Sequence, residues 1–183
     1  MAQRWRMTGQ TCKKPRPPLD SESLEQLALF YVGRYATTRA KLRSYLTRKL
    51  RERGWAEDRQ PAVVELAEKF SELGYIDDAT YANSRAASLG RRGYGERRVE
   101  QALYAAGIDE ADGAGARGIA AEQAWDAALA FVRKRRFGPF AREPFDRDRK
   151  RKALAAMIRA GHPYELARKF IDRESGDVPE RED

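Results

Sequence analysis

Side chains capable of acid–base, nucleophilic or metal chemistry are few in this chain, and they do not cluster. His162 is the only histidine and Cys12 the only cysteine. No serine or cysteine stands beside His162 to complete a triad. Its place between Gly161 and Pro163 suits a helix N-cap or a packing residue better than a general base. Asp77-Asp78 is the most suggestive carboxylate pair. A metal-dependent nuclease would need further acids from recognisable motifs, and none are found. Capping of the next helix, with both carboxylates near its positive end, is the better reading. Gly93-Tyr94-Gly95 ahead of a helix could cradle a phosphate with backbone N–H groups. It lacks the Lys-Ser/Thr of a Walker loop and a preceding strand, so it reads as a helix–helix turn. No catalytic residue, metal or cofactor is expected.

Charge is the stronger signal. Thirty-six Lys and Arg against 28 Asp and Glu leave a formal net charge of +8 and a pI near 9.7. Such a balance favours an anionic partner without specifying a fold. Arg85, Arg91, Arg92, Arg97 and Arg98 flank the Gly93 turn. Arg133, Lys134, Arg135 and Arg136 form a run without an acid, and Lys150 with Arg151 belongs to a third concentration from Arg147 to Lys152. Charges kept for solubility alone would be mixed in sign. Clusters recurring beside helix ends suggest a stripe that meets a polyanion, with weak DNA binding and no sequence preference. A lone cysteine forms no internal disulfide. No apolar run approaches the ~20 residues of a membrane span, and the N-terminus has no secretory pattern. A cytoplasmic monomer without membrane contact is the expectation.

Glycines mark the elements that must carry these charges. Gly54, Gly74, Gly93, Gly107 and Gly161 each follow an apolar residue by four positions, the spacing of a Schellman helix end. Upstream apolar residues have helical period, as in Leu42, Leu46 and Leu50. The pattern predicts helices near 22–35, 38–53, 61–73, 78–92, 96–106, 119–137, 146–160 and 163–172. Residues 108–118 allow either a short helix or a loop. Thr38 and Asp78 fit N-caps, Ser23 with Gln26 fits a capping box, and Pro61 and Pro163 fit first helical turns. Gly54, Gly107 and Gly161 stand 53 and then 54 residues apart. The even spacing predicts three stacked three-helix repeats in an all-α, elongated, curved array. Their expected bounds are 21–76, 77–118 and 119–172, between disordered tails at 1–20 (basic) and 173–183 (acidic).

Two motifs then resemble those of the RecX recombination regulators. One is Leu73-Gly74-Tyr75-Ile76-Asp77-Asp78 with Tyr81-Ala82 after it; the other runs from Arg92-Gly93-Tyr94-Gly95 through Arg97-Arg98 to Gly107-Ile108. Glu96 stands where the family often has proline. The resemblance covers about residues 24–172. It implies a helical array that binds RecA filaments on DNA, contacts successive subunits and limits filament growth or promotes disassembly. It also implies suppression of RecA-dependent ATP hydrolysis, strand exchange and coprotease activity, a brake on the SOS response with no chemistry of its own. Arg91, Arg92, Arg97 and Arg98, followed by Lys134, Arg135 and Arg136, are the first candidates for contacts. An independent basic helical DNA-binding module, reading duplex sites with paired helices, is the alternative.

Overall fold

The computed structural model describes residues 16–181. Cys12 and the expected basic tail up to residue 15 lie outside the described residues. Among the described residues nine α-helices succeed one another: α1 Ser21–Arg34, α2 Arg39–Arg53, α3 Val63–Glu72, α4 Asp78–Arg91, α5 Glu96–Ala106, α6 Glu110–Glu122, α7 Ala124–Arg135, α8 Arg147–Arg159 and α9 Tyr164–Ile171. A 3-10 turn, Gly138–Phe140, separates α7 from α8. Among the described residues the only β-type pairing is an isolated bridge between Leu19 and Trp55. The all-α array of three-helix repeats expected from the sequence is the fold observed.

Each group of three helices closes on its own small core. Leu19, Leu24, Leu42, Leu46, Phe70 and Ile76 anchor the first. Alanines dominate the second, around Leu89, Val99, Leu103 and Ile108. Phe131, Val132, Met157, Phe170 and Ile171 fill the third. Tyr94 packs against both the second and third clusters, so the cores communicate through it.

Four of the five marked glycines end helices in the expected way. Gly74, Gly93, Gly107 and Gly161 all have φ between 68° and 99°, and the residue after each donates its N–H to the carbonyl five positions back. Gly54 differs. Its ψ of 175° extends the chain, and its carbonyl accepts from the Leu19 N–H at 3.0 Å.

Several helix boundaries depart from the sequence reading. The expected helix 119–137 is the end of α6 and the whole of α7, broken at Gln123. Residues 108–118, left open as helix or loop, belong mostly to α6, which Asp109 caps. Of the α6 glycines at 113, 115 and 118, only Gly115 lies against α4. A Cβ on Gly115 would stand 2.9 Å from Asn83 Oδ1. Asp77, not Asp78, caps α4, and Asp20 replaces the Ser23 capping box at α1. Pro163 occupies the N-cap of α9, and Pro61 precedes the N-cap of α3. The acidic segment after residue 172 is not loose as far as Arg181. Ser175 Oγ donates to the Ala141 carbonyl and Gly176 N–H to that of Pro139, while Pro179 is buried.

Two junctions join the units. Between the first and second, Thr38 caps α2 and donates its hydroxyl to the Ala106 carbonyl at 2.7 Å. Arg39 beside it contacts Asp78, Glu68, Asp109 and Asp112, and Asp78 first and Glu68 next raise its already high pKa. Between the second and third, the Gly93-Tyr94-Gly95 turn lies on the α8 end. Gly95 N–H donates to the Ala160 carbonyl at 3.0 Å, and Arg97 N–H to that of Gly161 at 3.2 Å.

Candidate partner-binding groove

The second junction is where the basic residues meet. Arg92 at the end of α4, Lys134 and Arg135 in the last turn of α7, and Arg159 in α8 line a shallow pocket of about 310 Å³. Tyr94, Phe131, Ala156 and Ala160 form its floor. Through Arg135 it joins a second, open pocket of about 520 Å³, lined by Arg136, Arg142, Arg149 and Lys152 with Phe137 and Phe145. Glu143 is the only acid lining either pocket. It reaches Arg149 at 3.9 Å, the single ion pair formed by these eight cations among the described residues.

Packing explains why such a cluster holds together. Arg92 lies 5.4 Å from the Tyr94 ring centre, Arg135 5.8 Å from Phe131 and Arg149 4.9 Å from Phe145. The ring faces attract the guanidiniums and keep them at the wall without neutralising them. The carbonyl end of α7 also favours Arg133, Lys134 and Arg135 in its last turn. At α8 the balance is reversed. Five of its first six residues are cations, at the helix end that prefers anions. Asp146 as N-cap and Asp148 offset this only partly.

Arg136 stands out by its backbone. It has φ 55°, the only positive φ outside glycine among the described residues. Phe137 N–H donates to the Val132 carbonyl, so the bond pattern is that of the glycine-ended helices, with arginine in the glycine's place. A left-handed arginine costs roughly 1–2 kcal/mol.

Of the remaining sequence candidates, Arg98 lies 5.9 Å from the Tyr94 ring and borders the groove. Arg133 leans on Phe140 at 5.2 Å. Arg85, Arg91 and Arg97 are exposed, with no side-chain ion pair or hydrogen bond among the described residues, and line neither pocket. Lys150 lines a separate hollow with Ile171 and Arg173, and Arg151 pairs with Asp148 at 3.2 Å. Arg142, Arg149, Lys152 and Arg159 are groove residues beyond the first-choice candidates. Helical rotation supplies the missing signal: positions 149, 152, 156 and 159 share one face of α8.

The motif residues act as scaffolding. Gly74 turns the chain at φ 76°, and Tyr75 leans on Phe70 with ring centres 5.5 Å apart. Asp77 accepts from the Thr80 N–H and hydroxyl, which hold its carboxyl below the usual range. Asp78 is buried against Arg39, and Tyr81 bonds Lys41 across the first junction. Gly93 and Gly95 admit backbone where a Cβ would meet Phe131 N at 2.9 Å and Gly161 O at 2.5 Å. His162 is a packing residue, its Nε2 3.0 Å from the Gly93 carbonyl oxygen.

The second unit matches the family model described as RecX, second three-helix domain, over residues 77–116. A protein from Myxococcus xanthus named Regulatory protein RecX is 34% identical over 168 residues, covering 87% of this chain and 89% of that one. The chain belongs to the RecX family. Another member, Regulatory protein RecX of Agrobacterium fabrum, is 31% identical and covers 79% of each chain. Two solved RecX structures share the fold. That from Lactobacillus salivarius superposes with a TM-score of 0.59 at 20% identity, over 82% of this chain and 94% of its own. A second has a TM-score of 0.57 at 24% identity, over 84% and 72%. The RecX relatives are named as regulators, and a regulatory role follows for this chain. Among the described residues no helix is long and apolar enough to cross a membrane, and no group of three or more His, Cys, Asp or Glu could hold a metal.

Proposed function

We propose that this protein regulates homologous recombination and the SOS response by binding RecA filaments on DNA and limiting their growth and activity, without catalysis of its own. The groove carries the reading. Eight cations from two units, opposed by one carboxylate, form a surface that a polyanion or an acidic protein face neutralises. Arg92, Lys134, Arg135, Arg136, Arg142, Arg149, Lys152 and Arg159 supply the charge, and Tyr94, Phe131 and Phe145 orient it. The junction bonds fix the spacing between units, so the groove is preorganised for a repeating partner. A soluble, cytoplasmic monomer that contacts DNA weakly and without sequence preference fits this role.

An independent base-reading module is less well supported. Asn83, the chain's only asparagine, faces Gly115 between α4 and α6, with its Oδ1 buried. It is not placed to make the bidentate contact that reads adenine.

The test adds purified protein to RecA filaments on single-stranded DNA and follows ATP hydrolysis and filament length. Lower hydrolysis and shorter filaments at stoichiometric protein are expected. Unchanged filaments would overturn the proposal.

A further inference from the structure

We propose that the first unit carries a separate stacking platform for single-stranded nucleic acid, built on Phe30 and Tyr35. Both rings are largely in water, at 60% and 51% exposure, although nothing in the α1 core packing requires them there. The Arg34 guanidinium lies 5.9 Å from each ring centre, so the rings bracket it. The aromatic surface continues inward: Tyr35 tilts on Tyr31 at 5.4 Å, and Tyr31 stacks on Tyr45 of α2 at 4.3 Å with planes 14° apart. Arg48 then lies 5.7 Å from the Tyr45 ring and lines the exposed basic face of α2 with Arg51.

Exposed rings scattered singly are ordinary. Tyr104, more exposed still at 85%, has no ring or cation against it among the described residues. The Phe30–Tyr35 surface differs in being contiguous and interleaved with cations. That alternation suits a strand whose bases are unpaired. Each base offers a π-face to a ring, and the phosphates between bases meet arginine. A duplex hides its base faces and cannot use the rings. Glu52 is the acid within the surface, and it already pairs with Lys49 at 2.6 Å and Arg48 at 3.7 Å. Arg34 and Arg51 have no carboxylate partner among the described residues.

The site needs no recombinase, so its test is independent of the filament reading. Fluorescein-labelled oligothymidylate and a blunt duplex of equal length are titrated with the full chain, and anisotropy is followed. Wild type is expected to bind the single strand more tightly. Phe30→Ala/Tyr35→Ala should weaken single-strand binding by about tenfold or more, since stacking carries a large share per base, and leave duplex binding within about twofold. Both side chains are exposed, and an unchanged melting temperature confirms that the fold is intact. Phe30→Trp should retain binding and show more tryptophan quenching by oligothymidylate than wild type, whose own tryptophans are Trp5, Trp55 and Trp125. Equal losses on both nucleic acids, no loss on the single strand, or no quenching of Phe30→Trp beyond that of wild type would overturn the proposal.

Discussion

Asp78 accepts two hydrogen bonds from Arg39, one from its backbone N–H at 3.0 Å and one from its Nε–H at 3.1 Å. The carboxylate is buried at the start of α4, and Arg39 opens α2, so one charge pair ties the first unit to the second. Removing Arg39 leaves the buried Asp78 carboxylate without its counter-ion, whereas removing Asp78 leaves Arg39 with Glu68, Asp109 and Asp112. Arg39→Ala is expected to lower the unfolding free energy by about 3–5 kcal/mol, and Asp78→Ala by less, since Arg39 keeps three other carboxylates. The double variant should lose clearly less than the sum of the two. Denaturant titration of the four proteins measures this, and simple additivity would contradict the pairing.

Gly95 tests the other junction. Its φ of −82° suits any residue, so strain is not the issue. A methyl group there would stand 2.5 Å from the Gly161 carbonyl. Gly95→Ala should therefore cost about 1–3 kcal/mol and ease proteolysis between α5 and α8. Gly33→Ala, in α1 with nothing within 4 Å, should instead stabilise by about 0.5–1 kcal/mol. A Gly95→Ala protein that melts like wild type would contradict the close contact.

How far these features were legible in the sequence varies with their range. Local signals were clear: glycines at 74, 93, 107 and 161 end helices by a rule that spans six residues. The end of α7 escaped that rule because Arg136 takes the glycine position. The α6 helix was obscure because three glycines lower its intrinsic propensity, which packing against α4 and α5 offsets. The break at Gln123 left no mark, since alanine and apolar residues continue on both sides. The run 133–136 was visible as charge. Which members of 147–152 join it was not, because successive helical residues rotate by about 100° and only Arg149 and Lys152 turn inward. Arg142 and Arg159 reach the groove through tertiary packing.

Arg136 couples a stability prediction to a binding prediction. Arg136→Gly should relieve about 1 kcal/mol of backbone strain, visible as a rise of roughly 2–4 °C in melting temperature. The same change removes a groove cation, so binding to the anionic partner should weaken. A variant neither more stable nor weaker in binding would show that the left-handed arginine serves no purpose in the groove.

His162 predicts a pH dependence. Burial holds its pKa below the ordinary 6.5, more than the Gly93 carbonyl contact raises it. The unfolded chain then binds the proton more readily, so stability increases with pH between the folded and unfolded values. Its contribution is complete above about pH 6.5 and is lost as pH falls from there towards the depressed folded value. Unfolding free energies between pH 7 and pH 5 should decline for wild type. Those of His162→Leu should be flatter, since no other histidine is present. Parallel curves would contradict the assignment.

The central claim is that the groove between the second and third units is the partner-binding surface. Lys134→Glu/Arg135→Glu reverses two exposed charges at its centre, and neither side chain carries a hydrogen bond or ion pair among the described residues. Titrating RecA filaments on single-stranded DNA with wild type and this variant, and reading the rate of ATP hydrolysis, tests the claim most directly. The account predicts inhibition by wild type and a loss of at least about tenfold in potency for the variant, as expected when buried charge pairs at an interface become repulsive. Equal inhibition by the two proteins would contradict it.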